Sequence, residues 1–313
     1  MSRANDLRSD PDLPREIKEA ALDGKLVLFI GAGASMLVGM PSWGGLAYEA
    51  LKSLRVENFI NFAELEQLQC LDPKKQLSIA KVIADEKGFD LKLDQYMSAK
   101  EDSKIYEYLN SIGAVCVTTN YDHELSPNIK NESDGSIPVA SLKRISGADE
   151  ISTAFLRDPG TVIHLHGDMD KAEDMIVTTR DYLEHYDNDN VKEFLGELFE
   201  QYTILFIGYG LEEAEILEHV LRRGNVRDEG EGVALKRFSL QGFFNSEQPL
   251  YEQLSKYYKK SFGVELIGFT RDHKDYAQLE KIIKDWEEDV EVRPPSHLDG
   301  QNEIDAIVGA DDD

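Results

Sequence analysis

The chain has 313 residues, 34 basic and 60 acidic, for a formal net charge of −26. A surface of that sign repels nucleic acid and anionic membranes, so direct binding to either is not expected. Hydrophobic residues make up 41%, too large a share for a disordered chain, and one large α/β domain or two smaller ones fit the length.

Residues 1–23 read as a polar arm containing Pro11 and Pro14, followed by a helix that Asp23-Gly24 breaks. Lys25 to Ile30 is a continuous apolar run with glycine on each side, the pattern of a strand buried on both faces. The turn GAGAS follows at 31–35, then Pro41, Trp43 and a helical pattern from about Gly44 to Leu54. Residues 61–106 are helical in period with acidic faces, and read as a helical insertion or subdomain. Further buried strands are expected at Ala114–Thr118, Thr161–Leu165 and Thr203–Ile207, with a helix from about Leu211 to Arg223. Weaker strands fall at Val233–Leu240 and Val264–Phe269, separated by a helix around Glu247–Lys260. A last helix covers about Lys274–Val290, and residues 291–313 form an acidic tail expected to be disordered. Apolar strands alternating with amphipathic helices predict an α/β fold, a Rossmann-like parallel sheet with helices on both faces, over residues 24–290.

Two cysteines, Cys70 and Cys116, exclude a disulfide scaffold and a four-cysteine zinc site on this chain, and both read as packing residues. No window reaches the ~18 apolar residues of a membrane span, and the N-terminus lacks the apolar core of a secretory signal. A cytoplasmic location is therefore expected.

The chemistry is expected at the strand exits, because ligands of open α/β sheets bind beyond the carboxyl ends of the strands. Four exits have unusual composition. Gly31 and Gly33 of GAGAS suit either a plain tight turn or a backbone approaching a phosphate near a helix N-terminus. The full G-x-G-x-x-G fingerprint is incomplete, and no P-loop lysine follows. Thr118-Thr119-Asn120-Tyr121-Asp122 suits either a turn that caps the next helix or a polar site. In the second reading Asn120 serves a ribose or a water, and Asp122 accepts from a carboxamide. His164 and His166 share a face if the strand stays regular to its end. A zinc pair lacks further ligands in the sequence. His166, next to Gly167-Asp168 where the chain leaves the sheet, is a candidate general base. Gly208-Tyr209-Gly210 is a second glycine turn, and Glu212 and Glu213 suit the first turn of the helix after it.

The ordered set GAGAS, P-S-W, TTNYD, HLHGD and IGYGLEE resembles the sirtuin-like family of prokaryotic NAD-consuming domains, over roughly Leu26 to Leu217. It is more similar to the anti-phage defence branch than to the protein deacetylases, because TTNYD lacks the glutamine that deacetylases usually carry before the asparagine. The resemblance implies residue roles. Gly31, Ala32, Gly33 and Ser35 would line the NAD pyrophosphate and the adjacent ribose. Trp43 and Thr119 would join the cofactor-binding set. Asn120 would hold the nicotinamide ribose or the attacking water, and Asp122 would face the nicotinamide carboxamide. His166 would be the catalytic base. Gly208, Tyr209 and Gly210 would lie near the adenosine half, with Glu213 standing where the family commonly has aspartate. The zinc module of the deacetylases is absent, so water becomes the acceptor. The implied activity is an NAD+ glycohydrolase (NADase) with no metal, giving nicotinamide and ADP-ribose, as the effector of an abortive-infection defence system. A homo-oligomer and a HerA-type ATPase or other defence partner are implied. A catalytically silent NAD- or ADP-ribose-binding assembly module and an NAD-dependent protein deacylase are the alternatives.

Overall fold

The computed structural model describes residues 7–128, 143–171, 174–211, 216–217 and 237–292. Among them are seven strands, β1 (Leu26–Ile30), β2 (Val115–Thr118), β3 (Lys143–Ser146), β4 (Thr161–His164), β5 (Thr203–Ile207), β6 (Arg237–Phe243) and β7 (Val264–Thr270). They form one sheet in the order β3-β4-β2-β1-β5-β6-β7, and every pair is parallel. The expected α/β class and Rossmann-like parallel sheet are observed.

The central strand explains why the run LVLFI is apolar throughout. Val27 and Phe29 enter one hydrophobic cluster, while Leu26, Leu28 and Ile30 enter the other. On the first face lie α7 (Thr179–Asp187), α8 (Asp189–Gln201) and α9 (Gln248–Phe262). On the second lie α1 (Arg15–Leu22), α6 (Ile105–Ile112) and α10 (Ala277–Glu287). A strand covered on both faces has no solvent side and no need for polar alternation.

Sheet order and chain order differ in a way that locates a crevice. The chain runs from β1 to β2, β3 and β4 on one side, then crosses back to place β5 on the other side of β1. The carboxyl end of β1 is therefore the point where strand order reverses, and helices leaving on opposite faces open a cleft there.

A third hydrophobic cluster lies beyond that end. It is built from α3 (Trp43–Val56), α4 (Phe62–Leu68) and α5 (Pro73–Lys87), joined by Tyr121, Met175 and Val177. Each of these helices begins with a side-chain cap. Ser42 accepts from Gly45 N, Asn61 and Glu64 form a reciprocal box, and Asp72 accepts from Lys75 N ahead of Pro73. The helical reading of 61–106 thus corresponds to α4, α5, a 3-10 turn at Leu93–Tyr96 and the start of α6.

Several elements differ from the sequence expectation. GAGAS is the start of a six-residue helix, α2 (Ala32–Leu37). Strand β3 and helices α7 and α8 had no clear signal. Residues 7–14 lie along the sheet edge: Arg8 bridges Phe269, and Thr270 N donates to Arg8 O at 2.9 Å. Residues 1–6 and 293–313, most of the helix expected at Leu211–Arg223, and the expected strand start at 233–236 lie outside the described residues.

The exits of β1 and β5 touch without side chains between them. Gly33 N donates to Gly208 O at 2.8 Å, and Gly31 N to Ile207 O at 3.0 Å. A Cβ on Gly31 would stand 2.6 Å from Gly208 O, and one on Gly208 would stand 2.6 Å from Ala34 N. Gly208 also has φ +63°, a left-handed backbone that disfavours any side chain. The substitution Gly208→Ala is expected to destabilise the chain by about 2–5 kcal/mol, read as a lower urea midpoint. An unchanged midpoint would mean that the two turns can separate freely.

His185 on α7 is buried, and its Nε2 has no hydrogen-bond partner among the described residues. Burial pushes its pKa down from 6.5 to about 4. The unfolded chain takes up that proton near pH 6.5 while the folded chain refuses it. Stability is therefore full above about pH 6.5 and falls as pH drops toward about 4, by about 3 kcal/mol from this residue alone. Urea midpoints measured across that range should show the loss, and His185→Gln should flatten it.

Candidate active site

The cleft at the β1 end is a cavity of about 570 Å³. That size falls in the ordinary range for small-molecule sites. It is lined by Ala32 and Ser35 from the β1 exit, Thr119, Asn120 and Asp122 from the β2 exit, His166 from the β4 exit, and Gly208, Tyr209 and Gly210 from the β5 exit. Trp43 and Lys74 come from the helical layer, and Tyr182 comes from α7. Four stretches far apart in sequence thus meet in one place.

The glycine turn works differently from a phosphate cradle. The amides of Gly31 and Gly33 are occupied by carbonyls of the β5 exit, and Ala34 N donates to Gly31 O at 3.1 Å. Gly31 and Gly33 are absent from the cavity lining, whereas Ala32 is part of it. Ala32 N–H makes no hydrogen bond among the described residues, so one backbone donor remains for a ligand.

Asn120 is held from both ends. Its backbone N–H donates to Thr118 Oγ1 at 3.0 Å, and Thr118 Oγ1 in turn donates to Ile30 O at 2.9 Å. Its side-chain Nδ2 donates to Gly31 O at 3.0 Å and to Ser35 Oγ at 2.9 Å. The carboxamide is thereby fixed with its nitrogen facing the protein. Oδ1 accepts no hydrogen bond among the described residues and is not a sealed buried atom, so it is the end open to the cavity.

Ser35 and Asp122 lie behind Asn120. Ser35 Oγ donates to Asp122 Oδ2 at 2.6 Å, and Tyr106 Oη lies 2.9 Å from Ser35 Oγ and 3.4 Å from Asp122 Oδ2. Asp122 Oδ1 accepts from Glu124 N at 3.2 Å. Burial, reinforced by the Asp122 charge, pushes the Tyr106 pKa well above its ordinary value, so the phenol stays protonated. Both oxygens of Asp122 are engaged, and Ser35 links three polar groups. Tyr106 has no mark in the sequence beyond the apolar period of α6.

The two histidines differ sharply. His164 Nδ1 donates to the carbonyl of Asn120 at 2.9 Å, which fixes its tautomer. Burial lowers its pKa and keeps it neutral. It supports Asn120 from below. Strand β4 ends at His164, so regular alternation does not reach His166. Leu165 joins the α7–α8 face, and His166 packs on that face too, edge to face with Tyr182 at 4.9 Å. The expectation of a shared face for the two histidines is corrected on that ground. His166 Nε2 lies 2.9 Å from Tyr186 Oη, and Nδ1 lies 3.4 Å from Tyr182 Oη. Burial first, then the charges of His185 and Lys74, hold the His166 pKa well below 6.5. The ring is neutral at neutral pH and able to accept a proton. Tyr182 and Tyr186 stand four apart on α7, a spacing that puts them on one helix face.

Tyr209 packs its ring on Phe29 and Phe206, with centroids at 4.9 and 5.7 Å. Trp43 opens α3, with its ring 6.1 Å from Tyr121. Glu212 and Glu213 lie outside the described residues. Cys116 is buried inside β2, where burial pushes its thiol up to about 12, and Cys70 is exposed. Neither cysteine lines the cavity. Among the described residues, His123, Asp168 and Asp170 form one group with metal-ligand chemistry, His123 lying 3.5 Å from each carboxylate.

The SIR2-like domain family matches residues 114–267. Over 221 residues the chain is 28% identical to "Defense-associated sirtuin 2" of Bacillus subtilis, covering 64% of this chain and 19% of that protein. Over 298 residues it is 26% identical to "NAD(+) hydrolase ThsA" of Enterococcus faecium, covering 87% of this chain and 57% of that protein. It is 24% identical over 217 residues to "NAD(+) hydrolase ThsA" of Bacillus cereus, covering 67% and 42%. The chain therefore spans less than two thirds of the length of these relatives. The segment similar to the SIR2-like domain family runs from Ala114, just before β2, to Ile267 in β7.

Proposed function

We propose that the chain is an NAD+ glycohydrolase. It cleaves the bond between the ribose C1′ and the pyridinium nitrogen, giving nicotinamide and ADP-ribose. The reading is carried by one observation: the Asn120 amide is locked with its oxygen toward the cavity, in the same lining as a neutral His166. Similarity to two proteins named NAD(+) hydrolase supports it.

The balance is simple. The pyridinium nitrogen keeps the bonding pair, so nicotinamide leaves as a neutral molecule and needs no acid. Water supplies its oxygen to C1′ and loses one proton. Asn120 Oδ1 holds that water or a ribose hydroxyl, and His166 takes the proton. On this reading Ala32 N–H and Thr119 contact the rest of the dinucleotide. Asp122, Ser35 and Tyr106 keep Asn120 in place, and Gly208, Tyr209 and Gly210 line the wall beyond. Gly31 and Gly33 act through the backbone contact with β5, and Glu213 would follow that exit.

In the cell, this reading makes the protein a defence effector whose depletion of NAD halts a phage-infected host. Control by self-association, or by a HerA-type ATPase, goes with that role. Similarity to a defence-associated sirtuin supports the defence part. A second reading, a silent NAD- or ADP-ribose-binding module, draws on the tyrosine hydroxyls that stand at both ring nitrogens of His166.

Nicotinamide release from NAD+ separates the two. The hydrolase reading expects release by the wild type, a drop of about 10²–10³ in Asn120→Ala and about 10²–10⁴ in His166→Ala. Binding without release, in the presence of the partner proteins as well, would establish the silent module. The pH profile gives a further check. His166 titrates well below 6.5, so the rate should hold as pH falls through 6.5 and decline only at lower pH, as the ring gains its proton.

A further inference from the structure

Lys74 stands at the second position of α5, directly after Pro73. A cation in the first turn of a helix opposes the helix dipole, so its place is not explained by helix stability. Its Nζ lies 3.6 Å from the centroid of the Tyr182 ring. The Tyr182 hydroxyl lies 3.4 Å from His166 Nδ1. All three residues line the cavity, and Lys74 is the one lysine or arginine in the lining among the described residues. One turn further along α5, Ser78 Oγ accepts from Thr179 N at 2.9 Å. The helical layer is thus tied to α7 at two points, and one of them leads to the candidate base.

We propose that Lys74 is a positioning residue of the active site: its ammonium pins the Tyr182 ring, and through the Tyr182 hydroxyl it holds His166 in place for the attacking water. The inference rests on the hydrolase reading for its catalytic consequence, though not for the contact itself. The groups that face His166 are Tyr182, His185 and Tyr186 from α7 and Lys74 from α5. Asp72 and Asp122 line the same cavity.

The test compares Lys74→Met, Lys74→Arg, Tyr182→Phe and the double variant Lys74→Met/Tyr182→Phe. Two readouts are taken, the NMR signals of the Tyr182 and His166 rings at one fixed pH and the kcat and KM of nicotinamide release. In Lys74→Met both ring signals should shift from their wild-type positions. In the same variant kcat should fall roughly 10- to 100-fold with KM unchanged. Lys74→Arg keeps the charge and the ring contact, and should restore both readouts. Tyr182→Phe should lower kcat similarly, and the double variant should fall no further. Wild-type ring signals and a wild-type kcat in Lys74→Met would overturn the proposal. So would a rise in KM alone, which would make Lys74 a contact for the substrate phosphates, or Lys74→Arg behaving like Lys74→Met. A wild type that releases no nicotinamide would defeat the hydrolase reading instead, and the ring signals would still report whether Lys74 acts on His166 through Tyr182.

Discussion

The amide of Gly33 donates to the carbonyl of Gly208 at 2.8 Å, and neither residue has a Cβ to hold the two turns apart. That contact lies where the strand order reverses. It brings the exits of β1 and β5 to van der Waals distance, and leaves room for the β2 exit only on the other flank. Gly31 O, held in the same turn, accepts from Asn120 Nδ2. The orientation of the one amide oxygen open to the cavity therefore follows from a backbone contact three residues wide. Replacing either glycine changes a distance between strands before it changes any side chain, so the strand spacing and the site geometry cannot vary separately.

Charge sets a second constraint. A protein of net charge −26 repels a dinucleotide at long range. Attraction has to come from short-range groups inside the cleft. The glycine amides are not available, since backbone carbonyls occupy them. Ala32 N–H is one donor in the lining, and Asp72 and Asp122 oppose an anion there. The oxygens of Asp122 are already engaged by Ser35, Tyr106 and the Glu124 amide. Binding in such a site relies on shape and on a few directed hydrogen bonds more than on field strength.

Legibility in the sequence followed burial. LVLFI, AVCVT, TVIHL and TILFI are strands because both faces are covered, and an unbroken apolar run of that length has few other uses. Strand β3, Lys143–Ser146, has half-exposed residues at the sheet edge and carries no such pattern. The glycines were legible as turns. Their reason was not, because a close approach between residues 33 and 208 is a tertiary fact. The same holds for the support around the site. Tyr106, Lys74, Tyr182 and Tyr186 come from three helices whose sequences read as ordinary amphipathic faces. His166 was legible by its place at a strand exit, but its side was not, because alternation ends with the strand at His164.

The buried histidine raises the question of what strength of base the chemistry needs. Depressing the pKa of His166 weakens it as a proton acceptor, which looks like a handicap for activating water. In the proposed NAD+ hydrolysis the chemistry would offset this. Departure of a neutral leaving group from a cationic ring builds positive charge on the ribose, and water attacking such a centre becomes acidic as the bond forms. A weak base suffices at that moment. A strong one would be protonated at neutral pH, placing a second cation against an oxocarbenium-like centre. Enclosure by Tyr182 and Tyr186 would thus serve the proposed chemistry in two ways at once. It would fix the ring, and burial would keep it uncharged beside a cationic transition state.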